Sequence, residues 1–251
     1  MPNNKDLSKF RAAEKRRLAE YQLRVDQQNA LVAKRRIDNR KAVLFSAGAI
    51  LVALALQLSY FAFGPGSPNA NLAETPGSVP AISVAENRSW TGEIYINDST
   101  LGITLDGVNA PQATANFVAL SQSGFYMNNN CHRLVTEGIY VLQCGDPNGD
   151  GTGGPGYSWG PIENAPADDI YPAGTIAMAR QGGNGSSMGS QFFIVYKDSP
   201  IPSDSAGGYT VLGRITSGLE TISNIAADGV SGDGTDGEPK TAAVIKSITV
   251  K

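Results

Sequence analysis

Hydrophobic and polar positions alternate in short runs over the C-terminal two thirds of the chain. Eight short runs between residues 91 and 250 predict β-strands. The runs are TGEIYI (91–96), LGITL (101–105), CHRLV (131–135), IYVLQ (139–143), GTIAMAR (174–180), SQFFIVY (190–196), TVLGRI (210–215) and AAVIKSITV (242–250). The Asn-Asp-Ser-Thr stretch between the first two runs indicates a hairpin.

Two other stretches have the period of an α-helix. In APQATANFVALSQSG (110–124), Pro111 suits the first turn, and Phe117 and Leu120 fall on one face. LETISNIAA (219–227) is the second predicted helix. Because closing a sheet on itself removes exposed edge strands, we expect a mainly β fold, an eight-stranded closed antiparallel β-barrel capped by these two helices.

An uncharged apolar run, AVLFSAGAILVALALQLSYFAF, occupies residues 42–63. As a helix rising about 1.5 Å per residue it spans roughly 33 Å, enough to cross a hydrocarbon core of about 30 Å. Arg40 and Lys41 precede it, so the positive-inside rule places the N-terminus in the cytoplasm and residues 64 onward outside. The alternative is a cleaved signal peptide, but the 41 residues before the run exceed an ordinary n-region. We therefore expect a single-pass cell-membrane anchor.

Charge divides the chain at the same place. Residues 1–41 contain twelve Lys or Arg and five acids, whereas the rest of the chain has a net charge of −10. The sequence pI of about 5.2 thus averages two unlike regions. The basic segment lacks Gly and Pro from residue 5 onward and predicts a solvated cytoplasmic helix near anionic lipid. Residues 64–85, rich in Gly, Pro, Ser and Asn, predict a flexible linker before a domain over residues 86–251.

The reactive side chains concentrate in CHRLVTEGIYVLQCGD (131–146), which holds the single His and both Cys. A nucleophilic hydrolase would need His132 as its base, but on an alternating strand His132 faces away from its neighbours Cys131 and Arg133. One His and two Cys also lack the paired spacing of zinc modules. We therefore expect His132 to be a hydrogen-bonded core residue.

A calcium site is the remaining metal hypothesis. DPNGDGTGG (146–154) matches the start of an EF-hand loop, but its twelfth position is Tyr157, where a bidentate Glu is required. A Gly-rich polar turn is the better interpretation, and no metal site is expected.

Two questions stay open at the level of the residues. Cys131 and Cys144 pair across a hairpin if its turn has two residues, but face opposite sides of the sheet if Arg133 lies opposite Gln143. A disulfide and two thiols are therefore both consistent with the sequence. Gln191, between apolar positions, is either satisfied by backbone or kept for a ligand.

Several segments occur in an order that is specific. They are NFVAL, GFY, HR, QCGDP, GTGGPGY, GTIAMAR, GSQFFI and GGYTVLG. Over roughly residues 88 to 251 this order resembles the cyclophilin family of peptidyl-prolyl cis-trans isomerases. The resemblance implies a catalytic group of Arg133, Gln143, Phe193 and Tyr140, with Ile139 as the alternative to Tyr140 because the hairpin is longer than usual. It implies substrate-binding positions at Gln191, Met178, Ala179, Arg180, Val141, Tyr209 and Ile201.

The same resemblance implies an activity and its requirements. The chain would accelerate rotation about X-Pro bonds in exported proteins, with Arg133 stabilising the twisted amide and without metal, cofactor or nucleic acid. Its partners would be proline-containing polypeptides. Because Ile201 stands where the family often has Trp, cyclosporin is a candidate ligand but strong inhibition is not expected. The rival hypothesis is a non-catalytic module or chaperone that binds proline segments at the outer face of the membrane.

Overall fold

The computed structural model describes residues 77–251 continuously, together with isolated positions between residues 15 and 34. Those isolated positions are helical and exposed. The predicted membrane span, residues 42–63, lies outside the described residues. Within the described residues, no helix combines the length and apolar character needed to cross a membrane.

Residues 77–251 contain twelve strands, two α-helices and one short 3-10 helix. The strands are β1 (Ser89–Ile96), β2 (Ser99–Asp106), β3 (Asn129–Asn130), β4 (Arg133–Val135), β5 (Val141–Cys144), β6 (Ile170–Tyr171), β7 (Thr175–Met178), β8 (Phe192–Val195), β9 (Ser199–Pro200), β10 (Val211–Ser217), β11 (Asp236–Gly237) and β12 (Val244–Val250). The helices are α1 (Pro111–Gln122) and α2 (Leu219–Ala227), and the 3-10 helix is Ile82–Ala85. All eight predicted strands and both predicted helices are present, and the other four strands have two residues each.

The expected closed barrel is wrong. Ten strands form one antiparallel sheet in the order β11-β4-β5-β8-β7-β10-β2-β1-β12-β3, which stays open between its two ends, while β6 and β9 pair separately. A Cys131–Cys144 disulfide and a hydrogen bond from the Gly145 amide to Asn129 Oδ1 (3.0 Å) connect the β3 end of the sheet to the end of β5.

The disulfide also corrects the expectation that register alone decides the pairing of the cysteines. Arg133 does lie opposite Gln143, the register expected to separate them. The disulfide still forms because Cys131 and His132 lie outside β4, where side chains no longer alternate with the ladder.

Alternate residues of the central strands pack on the two faces of the sheet. Leu142 and Phe192 belong to the main hydrophobic core with α1, whereas Val141, Phe193 and Val195 belong to a smaller cluster on the other face. This is the period of two expected for a strand that is covered on both sides. The second face therefore has an apolar floor on which a site can be built.

The N-terminal boundary of the domain also needs correction. The linker was expected to reach residue 85, but Ala85 is fully buried and its carbonyl accepts a hydrogen bond from Trp90 Nε1 (2.9 Å). Gln112 Nε2 donates to the Pro80 carbonyl (3.0 Å). Residues from about Pro80 onward thus pack on the domain, since a flexible spacer would not supply these partners.

Candidate active site

Four neighbouring strands place one residue each in a single row, and three of them carry the main site residues. In the antiparallel register, Arg133 of β4 lies opposite Gln143 of β5, which lies opposite Phe193 of β8, which in turn lies opposite Ala177 of β7. Residues opposite each other in a sheet point to the same face. The row therefore places a cation, an amide and an aromatic ring side by side on the second face.

A pocket of about 190 Å³ opens above this row. It is lined by Arg133, Ile139, Val141, Gln143, Ala179, Arg180, Phe193, Ile201 and Tyr209, and is called the Arg133 pocket below. Phe193 is only 5% exposed and its ring meets that of Tyr209 edge to face, with centroids 5.5 Å apart. The described lining contains no Ser, Cys or His, so it offers apolar surface and hydrogen-bond donors instead of a nucleophile.

Arg133 is oriented from two sides. Its Nε and Nη2 donate to the two carboxylate oxygens of Asp236, each at 2.7 Å, and its Nη1 donates to Gln143 Oε1 at 3.3 Å. The hydrogen bonds between Arg133 and Asp236 raise the pKa of the Arg133 guanidinium and lower the pKa of the Asp236 carboxyl. The guanidinium is therefore charged, with its Nε edge turned to Asp236 and its Nη1 side turned to Gln143.

The open question about Gln191 is answered by its hydrogen bonds. Its Nε2 donates to the carbonyls of Gly151 (3.0 Å) and Gly153 (2.9 Å), and its Oε1 accepts from Gln143 Nε2 (2.8 Å). Its amide donors are thus satisfied by backbone. The result is a continuous polar network from Asp236 through Arg133, Gln143 and Gln191 to the 151–153 backbone.

Tyr140 is not placed in the pocket. Its ring packs edge to face on Tyr196 (centroids 6.0 Å apart) and lies 4.2 Å from Lys197 Nζ. Ile139 lines the Arg133 pocket instead. The physical reason is the period of two, because Ile139 shares its face with Val141 and Tyr140 does not.

Met178 is also displaced from the expected groove. It is fully buried in the main core, whereas the adjacent Ala179 lines the Arg133 pocket. The same alternation explains this, since neighbouring residues of one strand face opposite sides.

A second cavity of about 270 Å³ shares Gln143, Ala179 and Arg180 with the Arg133 pocket, and Gln191 lines this second cavity alone. The rest of its wall comes from the 151–158 segment and from positions near residue 189. A chain lying across Gln143 and Gln191 would therefore contact both cavities.

Arg180 and Ile201 hold the far wall of the Arg133 pocket. The Arg180 guanidinium lies 4.7 Å from the Tyr209 ring centroid and forms a two-point ion pair with Asp204, at 2.9 Å for each bond. Ile201 is 7% exposed, and its amide donates to the Asp169 carbonyl at 2.9 Å. Arg180 thus fixes the wall and does not extend freely into the groove.

The reactive-looking residues have structural positions. Asp146 is 1% exposed and accepts hydrogen bonds from the amides of Asn148 (2.8 Å), Asp150 (3.1 Å) and Gly151, so its carboxylate closes its own turn. Among the residues described, no group of three His, Cys, Asp or Glu side chains could hold a metal ion.

The expectation of a hydrogen-bonded core His is wrong. His132 is half-buried, and its Nδ1 has no hydrogen-bond partner among the described residues. Burial lowers its pKa, so the ring stays neutral near pH 7. The cause is its position outside β4, which turns it toward the 151 turn and not into the core.

Two residues of the site were missed at the sequence level, Asp236 and Asp204. Both lie in Gly-rich segments with other acids nearby, and a two-residue strand such as β11 has no readable periodicity. No local signal separates Asp236 from Asp233 or Glu238. Only the tertiary pairing of β11 with β4 identifies it.

The sheet, its helices and this pocket define a cyclophilin-type protein, and comparison with known families agrees. Residues 92–250 match the family described as cyclophilin type peptidyl-prolyl cis-trans isomerase/CLD. The chain belongs to this family, which confirms the resemblance found in the sequence.

Named relatives extend the comparison. The "Probable peptidyl-prolyl cis-trans isomerase B" of Mycobacterium tuberculosis H37Rv is 45% identical over 164 residues, covering 61% of this chain and 51% of the relative. The protein of the same name from Mycobacterium leprae is 39% identical over 195 residues, covering 72% of this chain and 64% of the relative. The chain thus spans about half to two thirds of the length of these curated relatives.

A solved structure gives the same fold. The crystal structure of a Cryptosporidium parvum cyclophilin type peptidyl-prolyl cis-trans isomerase, obtained in the presence of the dipeptide Ala-Pro, is 31% identical with a TM-score of 0.54. The match covers 64% of this chain and 98% of that chain.

Proposed function

We propose that the chain is a peptidyl-prolyl cis-trans isomerase whose reaction takes place in the Arg133 pocket. The observation that carries this proposal is the Arg133 guanidinium, held by Asp236 and Gln143 beside an apolar floor that includes Phe193 and Val141. The names of the relatives support the same activity.

The reaction needs no nucleophile. Rotation about an X-Pro bond has a barrier of about 18–20 kcal/mol because amide resonance must be broken. At the twisted transition state the prolyl nitrogen regains a lone pair, so a donor aimed at that nitrogen stabilises the transition state more than either ground state. A charged guanidinium with N–H groups left over from its protein contacts supplies such a donor.

The other side chains of the pocket have supporting roles in this mechanism. Ile139, Val141, Phe193 and Ile201 accept the pyrrolidine ring and exclude water, which strengthens the hydrogen bond from the guanidinium. Gln143 holds Nη1 of Arg133, and Gln191 fixes Gln143 in turn. Tyr140 and Met178 have no direct role in this proposal, since neither lines the pocket.

We propose proline-containing segments of exported proteins as substrates. The Ala-Pro dipeptide named with the Cryptosporidium parvum structure supports the proline-containing class. The Cys131–Cys144 disulfide supports an oxidising compartment, because disulfides persist mainly outside the cytosol. Anchoring through residues 42–63, with the domain on the extracytoplasmic side, remains part of this proposal.

The test is the cis-to-trans rate of an X-Pro peptide with the full chain. Wild type should accelerate exchange, and Arg133→Ala should lower kcat/KM by about 10²-fold, the usual cost of losing a transition-state donor. Arg214→Ala is the matched control, because Arg214 is exposed and lies outside the Arg133 pocket. If folded wild type binds proline peptides without accelerating exchange, the proposal fails and a non-catalytic binding module replaces it.

A further inference from the structure

The guanidinium of Arg133 has N–H groups that are not used in its contacts with Asp236 and Gln143, and the contacts show which nitrogens carry them. Arginine has five N–H groups, and Asp236 and Gln143 accept three of them. Asp236 occupies the edge formed by Nε and Nη2. The two N–H groups without an acceptor among the described residues are therefore one on Nη1 and one on Nη2.

Asp236 is itself held by backbone and not by a flexible loop. In the β11–β4 ladder, Asp236 lies opposite Val135 and Gly237 opposite Leu134. The Thr235 carbonyl accepts from the Thr136 amide at 2.8 Å and from Thr136 Oγ1 at 3.2 Å. The carboxylate is thus placed on the strand next to the one that carries Arg133.

Backbone hydrogen bonds also join the two ends of the 229–240 segment. The Ser231 amide donates to the Glu238 carbonyl at 2.8 Å, and the Lys240 amide donates to the Gly229 carbonyl at 2.9 Å. These bonds keep β11 beside β4, so the position of Asp236 is fixed before any peptide arrives.

Stability does not explain this arrangement. The side chains of Arg133 and Asp236 are 41% and 48% exposed, and ion pairs at such exposure contribute little to folding. A long arginine side chain, by contrast, loses much rotamer freedom when it is held in one geometry. The pair therefore has its main effect on where the guanidinium points.

We propose that Asp236 is a positioning residue of the isomerase: by gripping the Nε edge of Arg133, it presents the remaining N–H groups to the prolyl nitrogen. This inference rests on the proposed function. It assigns a role in catalysis to the 229–240 segment, which contributes no residue to the lining of the Arg133 pocket.

The test measures kcat and KM separately by NMR exchange spectroscopy on an X-Pro peptide, using the full chain. Asp236→Ala should lower kcat about tenfold with KM changed less than about twofold, because a misdirected catalytic group costs rate more than binding. The melting temperature should stay close to that of wild type. Asp233→Ala, the same charge change in the same segment, should match wild type in all three.

Two further measurements separate positioning from other effects. In an Arg133→Ala background, Asp236→Ala should cause no further loss, since its action passes through Arg133. The Arg133 Nε–H resonance should be protected from exchange in wild type and unprotected in Asp236→Ala.

The opposite results overturn the inference. Unchanged or higher kcat in Asp236→Ala, or an equal loss in the Arg133→Ala background, would show that Asp236 does not act by positioning Arg133. Absence of acceleration by wild type would instead refute the proposed function.

Discussion

Two arginines line the Arg133 pocket, and each is held by an aspartate, but their N–H groups are used differently. Arg180 spends all five N–H groups on protein acceptors, namely Asp204 and the carbonyls of Gln181, Gly207 and Gly208. Arg133 gives three to Asp236 and Gln143. Arg180 is therefore a structural part of the pocket wall. Arg133 is held in place as well, but two of its N–H groups have no acceptor among the described residues.

Burial follows the same division. The Arg180 side chain is fully buried, whereas the Arg133 side chain is 41% exposed. A buried guanidinium needs every donor satisfied, while an exposed one can keep donors for a ligand. The two Arg–Asp ion pairs thus have different roles, and the unused N–H groups of Arg133 distinguish its pair from that of Arg180.

The largest expected effect concerns the Cys131–Cys144 disulfide, whose cysteines lie close in sequence to Arg133 and Gln143. Cys131 and Cys144 are 13 positions apart, and closing a loop of that size stabilises a fold by about 3 kcal/mol. Replacing both by Ala should lower the free energy of unfolding by about that amount in urea titrations. Wild type reduced with dithiothreitol is the matched control, because it keeps both sulfur atoms.

If the reduced protein and the double variant both unfold at the same urea concentration as oxidised wild type, the disulfide does not stabilise the fold. If they lose stability but keep kcat, the hydrogen bonds of Asp236 and Gln143 suffice to orient Arg133.

The next effect concerns the Arg180 wall. Arg180→Ala removes the ion pair with Asp204, the donors to three carbonyls, and the guanidinium beside the Tyr209 ring. We expect KM to rise about tenfold with kcat changed less than about threefold, since the wall binds the substrate in the ground state and transition state alike. The melting temperature should fall by about 5 °C.

Arg214→Ala again controls for the loss of an arginine. A fall in kcat with unchanged KM would contradict the comparison, because it would make Arg180 a transition-state group like Arg133.

Much of the fold could be predicted from alternation. All eight longer strands and both helices were expected from the apolar pattern. Alternation along a strand would also have favoured Ile139 over Tyr140, since Ile139 lies two and four positions before Val141 and Gln143. The two ends of the sheet could not be predicted, because β3 and β11 have two residues each and are too short to show a hydrophobic pattern.

The site divides in the same way. The family resemblance selected Arg133, Gln143 and Phe193 from separate strands. The structure brings the three side chains together in one row. Asp236 and Asp204 could not be selected from sequence, because carboxylates in Gly-rich segments are common and only the ladder and the loop contacts decide which one meets an arginine.

The smallest effect is the response to acid, and it separates the two ion pairs. Hydrogen bonds from Arg133 lower the pKa of Asp236 from its usual 3.8. The pKa of Asp204 is lowered further, because it accepts from Arg180 and also from the amides of Gly183 and Ala206. A carboxyl with a lowered folded pKa stabilises the fold above its unfolded pKa and loses that contribution as pH falls through the folded value.

Between pH 7 and pH 5 both pairs therefore persist, and kcat/KM should change less than about twofold from these groups. Below pH 3.8 the Asp236 pair should break first, so kcat should fall before KM rises. NMR exchange measurements at stepped pH check this order, and Asp236→Asn, which has no carboxyl to titrate, should lack the kcat step. A rise in KM that precedes the fall in kcat would reverse the assignment, because it would mean that the pocket wall is the weaker of the two pairs.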